Sequence, residues 1–377
     1  MRLPTFCWLL CLSCGGGGTQ PPPDTGHPEG ACQTLQLPAE ARRVDTSSPD
    51  LVVGDGTKES CTFEALKAAV SQGGVITFAC GEEAVTVVVT EALKPPTSNA
   101  YANEAPIETV IDGGGKVTLD AQRGSRIIEW NHEGHWQRSN DVLTLQGLRF
   151  INGKATPKDT IATCTQAPND RCASGFKDGQ GGAVYVRDGA LRVIGCTFED
   201  NEGATVGPDT GGGALYVQGT AHTTQIATSA FRRNKASNGG AVGLLFGGAF
   251  VSNSYFQANE AVGTGANAVD PTGCGCQGHQ VGSGGNGGAL YKDGGDNLDL
   301  TLCGAEIVGN AANAFQLGET RISIGNGRTI RLSDVAKVTD GYAEQRNLAM
   351  IEGRQVLSFS IEKAKGASDV TVHDEVM

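Results

Sequence analysis

The sequence lacks any cluster of Lys and Arg, although it contains 29 of these residues against 41 Asp and Glu. Proteins that bind nucleic acid or an anionic membrane surface through charge need such basic patches. The formal net charge is −12. Nucleic acid is therefore not an expected partner of this chain.

Two further absences exclude fibrous and membrane-spanning classes of protein. Glycine is abundant, with 55 residues, but there is neither a Gly-X-Y period nor an enrichment in proline, so a collagen triple helix is excluded. Long hydrophobic runs are also missing. The apolar stretch at residues 3–12 is about 10 residues long, which is too short to span a bilayer.

That short apolar stretch, preceded by Arg2, is typical of an export signal. It ends at Cys14, which four glycines follow, and this end resembles a bacterial lipoprotein lipobox, although Cys11 stands where that motif prefers Leu. The resemblance implies a signal peptide over residues 1–13 and acyl chains on Cys14, with plain secretion as the alternative. The expected location is the outer membrane or surface of a bacterial cell, with the lipid anchor as the only contact with the membrane.

Composition divides the rest of the chain into four segments. Residues 14–50 are rich in Gly, Pro, Thr and Ser and are predicted to be a disordered tether. Residues 51–130 are predicted to hold a short helix capped by Thr62 and the first strands. Repeats are predicted over 131–317. Residues 318–377 are predicted to form strands that either cap the repeats or pack poorly.

A glycine phrase organises the repeat segment. Gly-Gly-Ala occurs four times, and an asparagine follows each glycine pair after 20 to 23 residues. The pairs begin at Gly181, Gly212, Gly239 and Gly287, and the asparagines are Asn201, Asn234, Asn259 and Asn310. Short strands and glycine turns at this period predict a parallel solenoid whose strands stack about 4.8 Å apart. The apolar side chains would then stack inside, and the aligned asparagines would form a hydrogen-bonded ladder.

The paired Gly-Gly-Ala and Phe-x-x-Asn phrases resemble those of the chlamydial polymorphic outer-membrane proteins and related β-helix proteins of the pectate-lyase-like superfamily. Residues 61–66 (Cys-Thr-Phe-Glu-Ala-Leu) are similar to the CSLREA-type leader of many bacterial β-helix proteins, without its Arg-Glu pair. The resemblance implies an all-β, right-handed parallel β-helix with one short N-terminal capping helix. No segment has the length of that family's C-terminal membrane barrel, so autotransport is not expected.

Nine cysteines follow Cys14. In an exported protein they favour disulfides over metal binding or redox chemistry. The predicted local pairs are Cys61 with Cys80 and Cys164 with Cys172.

Three other cysteines have separate predictions. An odd number leaves at least one thiol unpaired, and Cys32 in the tether is the expected one. Cys196 and Cys303 lie in apolar strand patterns. They are expected to be buried, either as free thiols or as a stacked core pair.

A polar insertion at residues 129–140 carries the candidate ligand contacts. Trp130 and Trp136 are candidate glycan contacts, because an aromatic ring face stacks on the C–H groups of a sugar. The alternative is that both rings cover the flank of the fold. His132, Glu133 and His135 also have the residue types of a metal site.

No cofactor is expected, with Ca²⁺ as the alternative. Asp293 and Asp296 stand on either side of two glycines and are the candidate Ca²⁺ ligands, since carboxylate oxygens are what this ion prefers. A simple turn explains the same residues.

A catalytic constellation cannot be assembled from the sequence. Galacturonan hydrolases of similar fold carry Asn-Thr-Asp, Asp-Asp and Arg-Ile-Lys motifs, and all three are missing here. The expected function is a non-catalytic cell-surface lipoprotein for adhesion, envelope structure or glycan binding, with a polysaccharide or another cell-surface molecule as its partner. The alternative is an extracytoplasmic polysaccharide lyase or glycoside hydrolase. An enzyme requires three or more carboxylates, lysines or arginines that converge in one groove.

Overall fold

The computed structural model describes Cys32, residues 37–132, 134–156, 179–205, 210–263, 284–294 and 298–313, and four short strands between residues 321 and 356. The chain divides into two compact units, Met1–Val338 and Thr339–Met377. The described residues form mostly parallel β-sheet with one α-helix. This architecture is all-β in character and compatible with a β-helix or solenoid.

The N-terminal part of the first unit holds the helix and the first six strands. These strands are β1 (Leu51–Val53), β2 (Gly74–Phe78), β3 (Val85–Val88), β4 (Glu108–Asp120), β5 (Ile128–Asn131) and β6 (Val142–Ile151). Helix α1 (Phe63–Val70) begins where predicted, because the Thr62 side chain accepts a hydrogen bond from the backbone N–H of Ala65. Short 3-10 helices occupy Ala39–Ala41 and Ala100–Ala102.

The repeat segment supplies fifteen short strands. They are β7 (Val184–Arg187), β8 (Ala190–Ile194), β9 (Thr197–Glu199), β10 (Leu215–Gln218), β11 (Thr223–Ala227), β12 (Ala230–Arg232), β13 (Lys235–Ala236), β14 (Val242–Leu245), β15 (Gly248–Ser252), β16 (Tyr255–Gln257), β17 (Glu260–Ala261), β18 (Leu290–Asp293), β19 (Leu300–Cys303), β20 (Glu306–Val308) and β21 (Ala311–Ala312). Two antiparallel hairpins follow. The first is β22 (Arg321–Gly325) with β23 (Arg328–Arg331), and the second unit contains β24 (Ala349–Ile351) with β25 (Arg354–Val356).

Each repeat adds one strand to each of several parallel ladders, in sequence order. Strands β5, β7, β10, β14 and β18 form a five-stranded sheet. In the thirteen-stranded sheet, β8, β11, β15 and β19 form one wing and β9, β12, β16 and β20 form the other, and β6 pairs with the first strand of both. Strands β13, β17 and β21 form a third sheet. Equivalent positions of successive repeats therefore lie side by side.

The core contains a column of phenylalanine rings at equivalent positions. Phe150, Phe198, Phe231 and Phe256 are fully buried, and consecutive ring centroids lie 4.6, 4.8 and 4.8 Å apart with nearly parallel planes. This separation matches the spacing of hydrogen-bonded strands. The predicted interior stacking is therefore present.

The asparagines that follow the phenylalanines form the predicted ladder. Each Nδ2 donates to the Oδ1 of the next asparagine along Asn201, Asn234, Asn259 and Asn310, at 2.9, 2.9 and 2.7 Å. Each amide also satisfies backbone groups. Asn234, for example, accepts from the N–H of Asn201 and donates to the carbonyl of Phe198. The asparagine side chains thus supply the hydrogen bonds that these buried backbone groups would otherwise need from water.

The glycine pairs lie where neighbouring repeats crowd each other. The first glycine of each pair has a left-handed backbone, with φ between 54° and 64°. A Cβ on the second glycine would strike the backbone of the next repeat, as at Gly213 against the Gly240 carbonyl. Glycine meets both requirements because it has no side chain.

Two disulfides lie within the described residues. One joins Cys61 and Cys80, the predicted local pair. The other joins Cys32 and Cys303 over a sequence separation of 271 residues, so the prediction that Cys32 is unpaired is wrong. Cys196 is a buried free thiol, one of its two predicted states, whereas the prediction that Cys303 is a free thiol or pairs with Cys196 is wrong, because Cys303 is bonded to Cys32. Cys14, Cys164 and Cys172 lie outside the described residues.

Residues 37–50, here called the strap, pack against the thirteen-stranded sheet rather than belonging to a disordered tether. The Val44 backbone N–H and carbonyl bond the carboxamide of Gln146 at 3.0 Å each. Asp112 accepts from Arg43 at 2.9 Å and from Thr46 at 2.8 Å. The prediction from composition fails here because polar side chains of the sheet satisfy the strap's polar groups.

Candidate functional site

Trp130, one of the two candidate glycan contacts, is buried. Side chains of strand β5 alternate between buried and partly exposed positions. Trp130 occupies a buried position and is only 1% exposed. Its Nε1 donates to the Pro96 carbonyl at 3.2 Å. Trp130 as a glycan contact is therefore wrong, because no ring face reaches the surface, and the alternative that it covers the flank of the fold explains it better.

His132 belongs to a buried hydrogen-bond network and not to a metal site. Its Nδ1 lies 2.9 Å from the Arg187 carbonyl, and its Nε2 lies 2.9 Å from Asp141 Oδ2. Both ring nitrogens are therefore occupied. Among the described residues, no group of three or more His, Cys, Asp or Glu could hold a metal ion, and Glu133 lies outside them.

Asp141 ties the loops of this region together. It accepts hydrogen bonds from the Ser98 backbone N–H at 2.7 Å, the Ser98 hydroxyl at 2.6 Å and the Ile107 N–H at 2.8 Å. Burial alone would raise the pKa of this carboxyl, but the hydrogen bonds outweigh burial and lower it. Both carboxylate oxygens accept hydrogen bonds from groups of the fold itself, so the carboxylate is not available to act on a substrate.

Trp136, the other candidate, forms an exposed aromatic pair with Phe246. The two side chains are 38% and 42% exposed, and their ring centroids lie 5.4 Å apart in an edge-to-face arrangement. The Trp136 ring lies over Gly219, and the Phe246 ring lies over Gly294. A Cβ at either glycine would displace the ring above it, so the sequence leaves space for both rings.

Phe246 was missed by the sequence reasoning, although a signal exists. The register aligns Arg187, Gln218 and Leu245 on adjacent strands, so Phe246 occupies the turn position of Gly219 in the preceding repeat. Its φ is 50°, and a bulky residue in the left-handed region is an outlier. Alignment of the repeats would have singled out this exposed phenylalanine.

A charged ladder lies on the outer surface of β6, β9 and β12. Glu199 pairs with Arg149 and, at 3.2 Å, with Arg232. Asp200 pairs with Arg233 at 2.8 Å. Acidic and basic residues thus converge within hydrogen-bond reach, which an enzyme also requires. Here, however, they are paired with one another across neighbouring strands. They line neither of two surface grooves, one beside β2–β4 and one beside β11, β15 and β19.

Only one of the two candidate Ca²⁺ ligands lies within the described residues. Asp293 ends β18, and its Oδ2 accepts a hydrogen bond from the Tyr291 hydroxyl at 3.1 Å. Asp296 lies outside the described residues. Ca²⁺ binding by Asp293 and Asp296 therefore stays a prediction.

Comparison with known proteins finds no matching family model, no matching curated protein and no matching solved structure. The family resemblance therefore stands on the repeat phrases alone. Within the described residues, no helix has the length and apolar character needed to cross a membrane.

Proposed function

We propose that this chain is a right-handed parallel β-helix protein of the bacterial cell envelope that binds a glycan without cleaving it. Three observations support the fold. Each repeat adds one strand to parallel sheets, the phenylalanine rings stack, and the asparagines form a hydrogen-bonded ladder. The export signal and Cys14 support a lipid anchor. If that anchor exists, Cys14→Ser should move the protein from the membrane fraction to the soluble fraction, and an unchanged distribution would contradict it.

The exposed pair of Trp136 and Phe246 carries the proposal. Exposure of large aromatic side chains to water is unfavourable, and such residues are enriched at the surfaces through which proteins bind other molecules. Both rings stand over glycines that keep the space beneath them clear. Two half-exposed rings packed edge to face offer apolar surface to the C–H groups of a sugar.

The absence of cleavage is proposed from the uses to which the described carboxylates are put. Asp141 and Asp188 are buried and accept hydrogen bonds that hold loops in place. Glu199 and Asp200 are paired with arginines. A glycosidase instead needs one carboxyl that gives up a proton and a second that attacks or activates water.

The test is glycan binding by isothermal titration calorimetry with Trp136→Ala and Phe246→Ala. Each change should weaken binding by about tenfold or more, as expected for aromatic residues at the centre of a contact. Tyr255→Ala, which removes an aromatic ring from β16 on another surface, is the matched control and should leave the affinity unchanged. Equal affinity in all four proteins would contradict the proposal.

A further inference from the structure

We infer that a groove along β11, β15 and β19, which includes Phe250 four residues after Phe246, continues the binding surface and selects a neutral, hydroxyl-rich oligosaccharide over an acidic one. This inference rests on the proposed function. The groove has a volume of about 350 Å³, which is within the range of small-ligand sites. It is lined by Thr223, Gln225, Phe250, Leu298, Asp299 and Thr301, with Pro38 of the strap beside them.

The stacking of the repeats builds the floor of this groove. Gln225, Phe250 and Thr301 are direct partners on β11, β15 and β19. Their neighbours Ile226 and Val251 point into the core and are fully buried, so the three floor residues face outward. Each repeat thus contributes one side chain to a row.

The strap forms part of the groove's border through Pro38, and the chain is held on either side of this residue. The Cys32–Cys303 disulfide ties the chain to β19 five residues before the strap begins, and the bonds from Val44 to Gln146 hold the strap itself. Pro38 lies between these anchors. The groove is therefore a built feature that needs residues from distant parts of the chain.

The groups in the groove suit the hydroxyls and the C–H face of a sugar. The Phe250 ring is partly exposed. The Nε2 of Gln225 donates to the Thr223 carbonyl at 3.1 Å. Its enclosed Oε1 accepts no hydrogen bond from the described residues. A ligand hydroxyl that reached this atom would supply the missing donor.

Charge decides between neutral and acidic glycans. Asp299 is exposed and is the one charged residue among the described residues of the lining. A carboxylate accepts hydrogen bonds from sugar hydroxyls, but it repels a uronate or sulfate group. No Lys or Arg of the described chain is part of the lining to offset that repulsion; Arg192, the β8 partner of Gln225, continues the row outside the lining.

The groove and the aromatic pair lie close enough for one ligand. Phe246 and Phe250 are four residues apart, so their Cα atoms are separated by no more than about 14 Å. Phe246 stands in the turn that leads into β15, and Phe250 lies on that strand. An oligosaccharide can therefore contact both.

The test compares neutral oligosaccharides (gluco-, xylo- and manno-oligomers) with galacturonate oligomers by titration calorimetry. The wild-type protein should prefer a neutral ligand. Gln225→Ala and Phe250→Ala should each weaken its binding by about tenfold, whereas Gln257→Ala and Tyr255→Ala on β16 serve as matched controls and should not. Asp299→Lys, at an exposed position, should raise the affinity for galacturonate oligomers at least threefold.

The outcomes separate this inference from the proposed function. If Trp136→Ala abolishes binding while the Gln225 and Phe250 variants bind as the wild type does, the groove is refuted and the function stands. A wild-type preference for galacturonate refutes the neutral class. If the wild type binds no glycan of either kind, the proposed function and the inference both fail.

Discussion

Removal of one rung from the asparagine ladder should destabilise the protein far more than a typical surface change. Asn234 is fully buried. Its Oδ1 accepts from the backbone N–H and the side chain of Asn201, and its Nδ2 donates to Phe198 and Asn259. Asn234→Ala therefore leaves at least one buried N–H and one buried carbonyl without this partner.

The magnitude follows from these two backbone groups. A buried donor or acceptor left unsatisfied costs about 1 to 3 kcal/mol, so the variant should lose about 2 to 6 kcal/mol of unfolding free energy. Asn310 makes the same kinds of bond at the last rung, but it is partly exposed. Water can replace its bonds there, so Asn310→Ala should cost only about 1 kcal/mol.

The assay is urea unfolding followed by tryptophan fluorescence, with hydrogen exchange of the peptide around Asn201 as a local measure. Asn234→Ala should lower the urea midpoint and speed exchange at Asn201, while Asn310→Ala should do neither to a comparable extent. If the two variants are destabilised equally, burial of the ladder is not what makes it stabilising, and the reasoning is refuted.

Three further outcomes are expected. Cys32→Ser removes the long-range disulfide to Cys303 and should lower the unfolding free energy by about 2 to 5 kcal/mol, measured by thermal melting; an unchanged melting temperature would contradict a structural role for the disulfide. Because the pKa of Asp141 is lowered in the folded protein, the unfolded chain binds more protons in acid. The stability that Asp141 contributes is therefore complete above about pH 3.9 and is lost as the pH falls through the folded pKa. The urea midpoint of Asp141→Asn should vary less with acid pH than that of the wild type, and parallel curves would contradict this reasoning. Burial raises the pKa of the Cys196 thiol to about 12, so iodoacetamide should modify it only after unfolding, and rapid labelling of the native protein in mass spectra would show that it is accessible.

The repeated features could be predicted because repetition is visible in one sequence. The phenylalanine column and the asparagine ladder follow from in-register stacking, and both are present where the Gly-Gly-Ala and Phe-x-x-Asn phrases indicate them. The helix cap at Thr62 and the disulfide between Cys61 and Cys80 were likewise predictable, because both depend on residues that are close along the chain.

Features that depend on distant residues could not be predicted in this way. The partner of Cys32 is 271 residues away, and nothing in the composition of the strap shows that Gln146 and Asp112 will bind it. Trp130 and Trp136 look alike in sequence, but strand alternation buries the first and the turn exposes the second. The role proposed for Phe246 depends on Trp136, which a different loop brings beside it.

The central claim is that this protein binds a glycan and leaves it intact. The most direct measurement is mass spectrometry of a bound neutral oligosaccharide recovered from the full-length protein after prolonged incubation, with and without Ca²⁺. We expect the oligosaccharide to be retained through Trp136 and Phe246 and recovered at its original mass. Shorter chains whose masses together exceed that of the intact chain by one water would contradict the claim and identify a hydrolase. In a parallel incubation with a galacturonate oligomer, fragments whose masses sum to that of the intact chain would identify a lyase.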